Sequence, residues 1–313
     1  MRVLLTGAAG FIGSHLTDAL LQNGHEVIGV DNCLTGDLEN LDQANLNPRF
    51  QFIHGDICEL PIPREPLDLI LHFASPASPV HYGRMPIETL RVNSLGTIWC
   101  CEIAREFGAR LLYASTSEVY GDPLEHPQSE AYWGNVNPNG ARSCYDEGKR
   151  FGEATVSAYK RRHGIDARIV RLFNTYGPRM QLDDGRVVPT FIAQALAGLP
   201  LTVFGSGEQT RSLCYVDDVV DAILRFATLE TAPYDVINIG SDDEVPIRTI
   251  AAEISAACDV PLNIVFNELP PDDPSRRRPD LHRIWNALNW RSTTRLRDGL
   301  KRTIEWYRDR VPA

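Results

Sequence analysis

Short apolar runs alternate with amphipathic stretches through the first half of the chain. The apolar runs have the length and residue types of buried strands, and the stretches between them repeat apolar residues at helical spacing. The predicted strands are Arg2–Thr6, Glu26–Val30, Phe50–His54, Leu67–Phe73, Arg110–Ser115 and Asp166–Leu172, and the predicted helices are Gly13–Gln22, Pro86–Phe107 and Tyr145–His163. Alternating strands and helices imply right-handed crossovers and a parallel sheet. The fold class is therefore α/β, with a Rossmann-type doubly wound parallel sheet.

The pattern changes beyond about residue 175. The predicted elements there are helices at Val187–Ala197, Asp217–Leu229, Ile247–Cys258 and Thr294–Arg310, strands at Pro200–Phe204 and Val236–Ile239, and a proline-rich loop at 270–279. We expect residues 1–175 to form a nucleotide-binding domain, to which the chain returns at about residues 211–241. Residues 176–313 are expected to form a smaller C-terminal substrate-binding α/β domain.

The chain has 313 residues, of which 43% are hydrophobic and 23% charged, and its net charge is −10 with a pI near 5.3. This acidic balance argues against nucleic acid or an anionic membrane as the main partner. Met1 leads directly into an apolar run that Gly7 interrupts, so we expect no signal peptide, no membrane span and a cytoplasmic protein. The seven cysteines lack metal-binding spacing, which predicts free thiols and no metal site.

A glycine-rich turn follows the first predicted strand and opens the first predicted helix. Gly7, Gly10 and Gly13 allow a tight turn, and the helix that starts there directs its N-terminus toward an anionic group such as a pyrophosphate. A plain strand-to-helix turn has the same glycines, so the next strand is informative. Asp31 ends that strand, where a carboxylate binds ribose hydroxyls and repels a 2′-phosphate. The two features together predict NAD in preference to NADP.

Tyr145 and Lys149 lie four residues apart on a predicted helix and therefore share one of its faces. A nearby ammonium and a positively charged nicotinamide are expected to lower the pKa of the phenol, so that Tyr145 removes a hydroxyl proton as hydride leaves. The strand ending before Thr116, Ser117 and Glu118 leads into the same region. Thr116 or Ser117 is expected to bind the reacting oxygen. Such a pair also arises by chance on amphipathic helices.

Several arginines lie in predicted loops of the second half. A guanidinium binds phosphate or carboxylate through two parallel hydrogen bonds. Each of these arginines, taken singly, is also compatible with a solvated surface position. Together they suggest an anionic substrate; they are Arg179, Arg186, Arg211 and Arg276 to Arg278.

These residues resemble the extended short-chain dehydrogenase/reductase family over essentially the whole chain. The segments that carry the resemblance are 7–13, 31–36, 74–79, 114–123, 144–150, 173–180, 184–188 and 205–211, with Asp272-Asp273-Pro274, Arg277 and Pro279-Asp280. The glycine turn and the Tyr-x-x-x-Lys pair are general to the superfamily. The Ala-Ser-Pro-Ala-Ser-Pro and Thr-Ser-Glu sequences are narrower, and they resemble the branch that decarboxylates UDP-glucuronate.

The resemblance implies a closed redox cycle. NAD would accept hydride from C4 of the sugar, the resulting β-keto acid would lose CO₂, and hydride would return to give UDP-xylose. The implied catalytic residues are Tyr145, Lys149, Glu118, Ser117, Thr116 and Arg277. The implied cofactor-binding residues are Gly7, Gly10, Phe11, Ile12, Gly13, Asp31, Asn32, Thr35, Gly36, Asp56, Ile57, Phe73, Ala74 and Ser75, with Tyr145 and Lys149. The implied substrate-binding residues are Arg91, Asn174, Arg186, Val203, Gly205, Arg211 and Arg277.

Other functions stay open at this point. A nucleotide-sugar 4-epimerase or 4,6-dehydratase would use the same scaffold, and a nucleotide-sensing protein would keep the fold without turnover. The sequence also leaves open which of Arg276 to Arg278 acts, and whether Glu118 itself moves a proton. The resemblance implies a homodimer, in which Pro86–Phe107 and Tyr145–His163 each give one face to a four-helix interface.

Overall fold

A computed structural model describes residues 1–61, 63, 65–268 and 276–310. Asp272, Asp273 and Pro274, which belong to the family resemblance, lie outside the described residues. The strands of the described part are β1 (Arg2–Thr6), β2 (Glu26–Asp31), β3 (Phe50–His54), β4 (Leu69–His72), β5 (Arg110–Thr116), β6 (Ala167–Leu172), β7 (Thr175–Tyr176), β8 (Leu201–Phe204), β9 (Thr210–Ser212), β10 (Cys214–Tyr215), β11 (Val236–Ile239), β12 (Glu244–Pro246) and β13 (Ile264–Asn267).

The helices of the described part are α1 (Phe11–Gln22), α2 (Asp42–Asn45), α3 (Pro79–Arg84), α4 (Pro86–Arg91), α5 (Thr97–Phe107), α6 (Ser143–His163), α7 (Val187–Leu196), α8 (Val216–Thr228), α9 (Ile247–Ala257), α10 (His282–Leu288) and α11 (Leu296–Arg308). Those that the sequence predicted begin and end close to the predicted positions. A π-helical turn at Val92–Gly96 joins α4 to α5, and 3₁₀ turns occupy Leu38–Leu41 and Ser117–Tyr120. The single helix predicted over Pro86–Phe107 therefore contains an irregular turn.

Seven parallel strands form the main sheet, in the order β11-β6-β5-β4-β1-β2-β3. This arrangement confirms the predicted doubly wound α/β fold. The sheet order reverses at β1, which lies between β2 and β4. In open α/β sheets ligands bind beyond the carboxyl ends of the strands at such a reversal. The fold thus points to the ends of β1 and β4 as the place for a ligand.

Both faces of the main sheet are buried, which explains its continuous apolar strands. Successive residues of β1 point to opposite faces, so Val3 and Leu5 pack with α1 and α8, whereas Leu4 packs with α5 and α6. Each face thus has its own apolar core, and helices cover it. The loops at the strand ends are left to build a cavity.

The C-terminal residues contribute small sheets beside the main one. β8 pairs in parallel with β13, β9 pairs antiparallel with β12, and β7 pairs in parallel with β10. Helices α7, α9 and α11 pack together beside them. The sequence had not predicted several short elements, each of seven residues or fewer, because so short a segment shows no period. They are β7, β9, β10, β12, β13, α2, α3 and α10. The division into two domains stays a prediction.

No helix in the described part of the chain is long and apolar enough to span a bilayer. The seven cysteines, all within the described ranges, are free thiols. Four of them lie in helices or strands where burial raises the pKa of the thiol, namely Cys100, Cys101, Cys144 and Cys214. A buried thiol with a raised pKa is a poor nucleophile, so these cysteines act as packing residues.

Candidate active site

A cavity of about 690 Å³ opens at the carboxyl ends of β1, β4, β5 and β6. It is bounded on the other side by loops and elements that follow residue 172. Most of the predicted site residues line it, and they are Gly7, Gly10, Phe11, Ile12, Gly13, Thr35, Phe73, Ser75, Thr116, Ser117, Glu118, Tyr145, Lys149, Asn174, Arg186, Arg211 and Arg277. The fold therefore brings the glycine turn, the Tyr-x-x-x-Lys helix and the later arginines into one space.

The glycine turn is tightly packed at two of its glycines. Gly7 has φ +76°, and a β-carbon there would lie 2.8 Å from the backbone of Phe73 and Ala74. A β-carbon on Gly13 would lie 1.9 Å from the Gly7 carbonyl oxygen. Both positions therefore require glycine. The close approach leaves the N-terminus of α1 open toward the cavity, as a bound diphosphate requires.

Asp31 lies beside the glycine turn, although it does not line the cavity itself. Its Oδ2 accepts a hydrogen bond from the Ala9 amide at 2.9 Å, and its Oδ1 accepts one from the Cys33 amide at 2.8 Å. Burial raises the pKa of this carboxyl, while the amide bonds lower it. A β-carbon on Gly36 would be 3.1 Å from Asp31 Oδ2, so Gly36 closes this corner.

The other predicted cofactor residues outside the cavity lining are close to that corner. Asn32 donates a hydrogen bond from Nδ2 to Asp56 Oδ2 at 3.4 Å. Ile57 is buried in the core of the α5 side, and the Ala74 amide donates to Thr6 Oγ1 at 3.1 Å. These residues support the shape of the turn, and their contact with a nucleotide stays a prediction.

Lys149 is almost fully buried next to Tyr145. Its Nζ donates to the Ala114 carbonyl at 2.8 Å and lies 5.9 Å from the centre of the Tyr145 ring. Burial lowers the pKa of Lys149 to about 7. Burial likewise raises the pKa of the Tyr145 phenol, against a hydrogen bond with Thr116 that lowers it. The predicted lowering of the tyrosine pKa is therefore not a property of the protein alone, because desolvation outweighs the neighbouring groups.

Glu118 is held between two arginines at the other side of Tyr145. Its Oε2 accepts from Arg142 Nη2 at 2.5 Å, and its Oε1 accepts from Arg277 Nη1. Burial by itself would raise the pKa of Glu118, but the charges of Arg277, Arg142 and Arg211 bring it below its ordinary value. Glu118 is therefore a carboxylate with both oxygens bonded. Of the three candidate arginines at 276–278, Arg277 is the one that reaches it.

Three residues of the site had not been singled out from the sequence. Arg142 lies in a segment rich in Gly, Pro and Asn, which gives no periodic signal, and it precedes α6. The Tyr82 ring stacks on Tyr145 with centroids 5.0 Å apart and an angle of 7° between planes. Asp146, next to Tyr145, is buried with an unpaired Oδ1, and its pKa is raised to about 7 by burial and by the charge of Glu118.

The irregular turn between α4 and α5 places a further polar side chain under α6. Asn93 is fully buried, and its Nδ2 donates to Ser75 Oγ and to the Thr89 carbonyl, each at 2.9 Å. A β-carbon on Gly148 would be 3.3 Å from the Asn93 side chain. Asn93 thus orients Ser75, which lines the cavity. A polar residue at a buried helix position was the only sequence signal for it.

The predicted substrate residues divide into two groups. Arg186 lines the cavity, where it forms a two-point ion pair with Asp184 at 2.5 and 2.6 Å, and Arg211 also lines it. Arg91 lies outside the lining and pairs with Glu59 at 3.3 Å on the surface. Along β8 the side chains alternate, so that Thr202 and Phe204 line the cavity.

Val203 and Gly205 accordingly do not line the cavity. Val203 is fully buried in the core of the α1 side. The Gly205 amide donates to the Asn267 carbonyl at 2.8 Å and so continues the pairing of β8 with β13. A role for either residue in substrate binding would have to come from its backbone, and it stays a prediction.

Comparisons with known proteins agree with this geometry. The model of the NAD dependent epimerase/dehydratase family matches residues 3–240. UDP-glucuronic acid decarboxylase 3 of Arabidopsis thaliana is 49% identical over 99% of this chain and 90% of its own length. UDP-glucuronic acid decarboxylase 1 of Xenopus tropicalis is 47% identical over 98% of this chain and 72% of its own length.

A similar fold is found among solved structures. A mutant UDP-glucuronic acid 4-epimerase from Bacillus cereus, in complex with UDP-4-deoxy-4-fluoro-glucuronic acid and NAD, superposes with a TM-score of 0.91 at 29% identity. The alignment covers 99% of each chain. The chain belongs to the NAD dependent epimerase/dehydratase family.

Proposed function

We propose that the protein is an NAD-dependent UDP-glucuronate decarboxylase, which forms UDP-xylose through a 4-keto intermediate and regenerates NAD. The observation that carries the proposal is the common cavity of Tyr145, Lys149 and the Glu118–Arg277 pair, next to the glycine turn. The decarboxylases of Arabidopsis and Xenopus at 49% and 47% identity give the substrate. An oxidising centre beside buried guanidinium groups suits a sugar that carries a carboxylate.

The residues fit NAD. The backbone around Gly7 and Gly13 is so close that any β-carbon would fill the turn, which leaves the N-terminus of α1 for the diphosphate. The carboxylate of Asp31 lies beside that turn, where it would accept hydrogen bonds from ribose hydroxyls and repel a 2′-phosphate. Lys149 and Tyr145 would hold the second ribose. When bound, the cofactor accepts hydride from C4 of the sugar and later returns it.

Tyr145 would take the proton of the C4 hydroxyl as the ketone forms. A phenol with a raised pKa is scarcely ionised at neutral pH, so it needs a positive charge nearby to become the phenolate that acts as the base. The Lys149 side chain, in the protonated form, and the bound nicotinamide would supply that charge. Thr116, whose hydroxyl bonds Tyr145, would hold the phenol oxygen toward C4.

Decarboxylation follows from the ketone. A carboxylate β to a ketone leaves as CO₂ because the carbonyl accepts the electron pair, and the enolate is then protonated at C5. Glu118 accepts hydrogen bonds from two guanidinium groups and has a lowered pKa, so it is a poor proton donor. We therefore propose that Glu118 does not donate the proton itself. Its role is to hold Arg277, Arg142 and a water molecule near C5. Arg211 and Asn174 would bind the nucleotide.

Product analysis tests this proposal. The purified protein is incubated with UDP-glucuronate and NAD, and CO₂, the nucleotide sugars and NADH are measured together. The expected products are CO₂ and UDP-xylose, without lasting NADH. Lasting NADH with a 4-keto pentose would mean that the final reduction does not occur. UDP-galacturonate without CO₂ would show a 4-epimerase, the activity of the Bacillus cereus relative, and would overturn the proposal.

We also propose that the protein works as a homodimer in the cytoplasm. The outer face of the helices from α4 to α6 exposes large apolar side chains, namely Ile87, Leu90, Leu95 and Phe151. A pair of such faces would form a four-helix interface. Light scattering on a Phe151→Arg variant should give half the wild-type mass, whereas Leu46→Arg, a substitution at an exposed leucine after α2, should leave the mass unchanged.

A further inference from the structure

Gln128 is a polar residue that the proposed mechanism does not use, and it is fully buried. It lies in the loop between the 3₁₀ turn that carries Glu118 and helix α6. It does not line the cavity. Buried polar groups in folded proteins are nearly always hydrogen-bonded, so the partners of Gln128 indicate what it holds in place.

The partners of Gln128 lie in the segment that directly follows Arg277. The backbone N–H of Gln128 donates to the Arg278 carbonyl, and the backbone N–H of Arg278 donates to the side-chain Oε1 of Gln128, each at 2.9 Å. The Asp280 amide donates to the Gln128 carbonyl at 2.8 Å. Gln128 therefore binds residues 278–280 like a neighbouring strand, and its side chain adds a further bond.

The remaining groups of Gln128 attach this assembly to the body of the protein. Its Nε2 donates to the Glu125 carbonyl at 2.7 Å, which orients the amide so that Oε1 faces Arg278. The backbone carbonyl of Gln128 also accepts a hydrogen bond from Asn238 Nδ2 at 3.0 Å. Asn238 belongs to β11 of the main sheet, so Gln128 connects residues 278–280 to the sheet.

Arg277 is the residue that this anchoring affects most. Its side chain is only 2% exposed, and its Nη1 donates to Glu118 Oε1 and to Ser117 Oγ, the latter at 3.4 Å. Its Nη2 donates to the Gly121 carbonyl at 2.7 Å. Arg277 directly precedes Arg278, so a shift of the backbone at residue 278 would move the Arg277 guanidinium relative to Glu118.

We infer that Gln128 is a positioning residue for the decarboxylation, which acts by holding residues 278–280 so that Arg277 reaches Glu118 and the reacting end of the sugar. The inference rests on the proposed function, since it assigns Gln128 to the same reaction. Misplacement of a group by about 1 Å is enough to lower a rate by about 100-fold. A loop anchor without this role would change stability and leave the chemistry of Arg277 intact.

A double-mutant cycle distinguishes the two roles. Gln128→Met keeps the length of the side chain and removes the amide. It is made in the wild-type protein and in an Arg277→Lys background, and kcat and KM for UDP-glucuronate, NAD affinity and unfolding are measured for each. Thr303→Val removes another buried hydrogen bond, from Thr303 Oγ1 to the Gly299 carbonyl in α11, and is the control for stability.

The expected result is a fall of kcat by about 100-fold for Gln128→Met, with NAD affinity unchanged. In the Arg277→Lys background the same substitution should lower kcat by less than about 3-fold, because its effect passes through Arg277. Thr303→Val should keep the wild-type kcat. An unchanged kcat for Gln128→Met, or an equal loss in both backgrounds, overturns the inference. So does a Gln128→Met protein that does not fold, because the residue then acts on the fold. A wild-type protein without UDP-xylose product would instead refute the proposed function.

Discussion

Glu118 and Arg277 form a buried ion pair across 159 positions of the sequence, and Arg142 binds the second carboxylate oxygen of the same glutamate. The side chain of Arg277 is 2% exposed and that of Glu118 is 17% exposed. A buried ion pair is costly to break, because removal of one partner leaves the other charge desolvated. The pair joins the turn after β5 to the segment before α10, and both of its side chains line the cavity.

Replacement of Glu118 by glutamine should therefore affect both activity and stability. The neutral amide would remove the negative charge to which both guanidinium groups donate, which should lower the free energy of unfolding by about 3 kcal/mol. Urea unfolding measures this loss, and the rate of CO₂ release should fall with it. Glu88→Gln, on the helix α4 outside the cavity, is the control. Unchanged stability in Glu118→Gln would contradict the buried-pair description.

The ionisation of Glu118 should also make the stability of the protein depend on pH. Its folded pKa is lower than the ordinary value of 4.5, so the stability that it contributes is present above pH 4.5 and is lost as the pH falls through the folded pKa. The stability difference between wild type and Glu118→Gln should thus shrink in acid. A difference that grows as the pH falls toward 4.5 would instead mean that folding raises the pKa of this carboxyl group.

Tyr145→Phe should stop the chemistry and leave cofactor binding nearly intact, because Lys149 still holds the ribose. The substitution removes only the phenol oxygen, whose contribution as an acid and base is worth about 1000-fold in rate. Steady-state CO₂ release and NAD titration of the same preparation measure the two effects. Tyr159→Phe, on the same helix at a tyrosine that bonds Glu102 at 2.5 Å, is the matched control. Equal rates for Tyr145→Phe and the control would remove Tyr145 from the mechanism.

Lys149 should make the protein more stable as the pH rises above neutrality. Burial lowers its pKa from 10.5 to about 7, so between pH 7 and 10.5 the unfolded chain binds more protons than the folded protein. Stability therefore rises with pH across that window, by at most about 1.4 kcal/mol per pH unit for one group. Urea unfolding of wild type and Lys149→Met at several pH values isolates this term.

The Lys149→Met protein should lack that part of the rise. Lys160→Met, on the same helix at the ion pair with Asp235, is the control. Should the two variants show the same pH dependence between pH 7 and 10, Lys149 would be protonated in the folded protein, and its burial would be compensated by a partner.

Asp146 should have the opposite pH dependence. Burial and the charge of Glu118 raise its pKa from 3.8 to about 7, so the folded protein binds more protons than the unfolded chain between these values. Stability falls as the pH rises through this window, and Asp146→Asn abolishes the effect. The free energy of unfolding of Asp146→Asn should thus rise relative to that of wild type from pH 4 to pH 7. Asp221→Asn, on the outer side of α8, is the control. If the difference in unfolding free energy between Asp146→Asn and wild type did not depend on pH, the pKa of Asp146 would not be raised.

The sequence predicted the main sheet because buried parallel strands give long apolar runs, which local patterns reveal. The helix pair Tyr145 and Lys149 was predictable for the same reason, since a spacing of four residues defines a shared face. Neither the ion pair of Glu118 with Arg277 nor the one with Arg142 has such a signature. Contacts between distant segments depend on where loops fold, which single residues do not encode.

The same limit explains the residues that the structure places elsewhere. Arg91 is one of many surface arginines, and its partner Glu59 lies in a loop that no periodic pattern defines. Val203 was assigned to the cavity with its strand, but side chains alternate along β8, so that Thr202 and Phe204 face the cavity instead. The direction of alternation depends on the packing of β8 against the core, which the strand sequence alone does not set.

The return of hydride to the same carbon is the central claim, and isotope transfer tests it directly. UDP-glucuronate that carries deuterium at C4 is converted in the presence of a large excess of unlabelled NADH, and the deuterium content of the product is measured by mass spectrometry. The account predicts UDP-xylose that keeps its deuterium at C4, because hydride leaves and returns within one cavity. UDP-xylose that has lost deuterium to the cofactor in solution, or a labelled product that still contains the carboxylate, would contradict it.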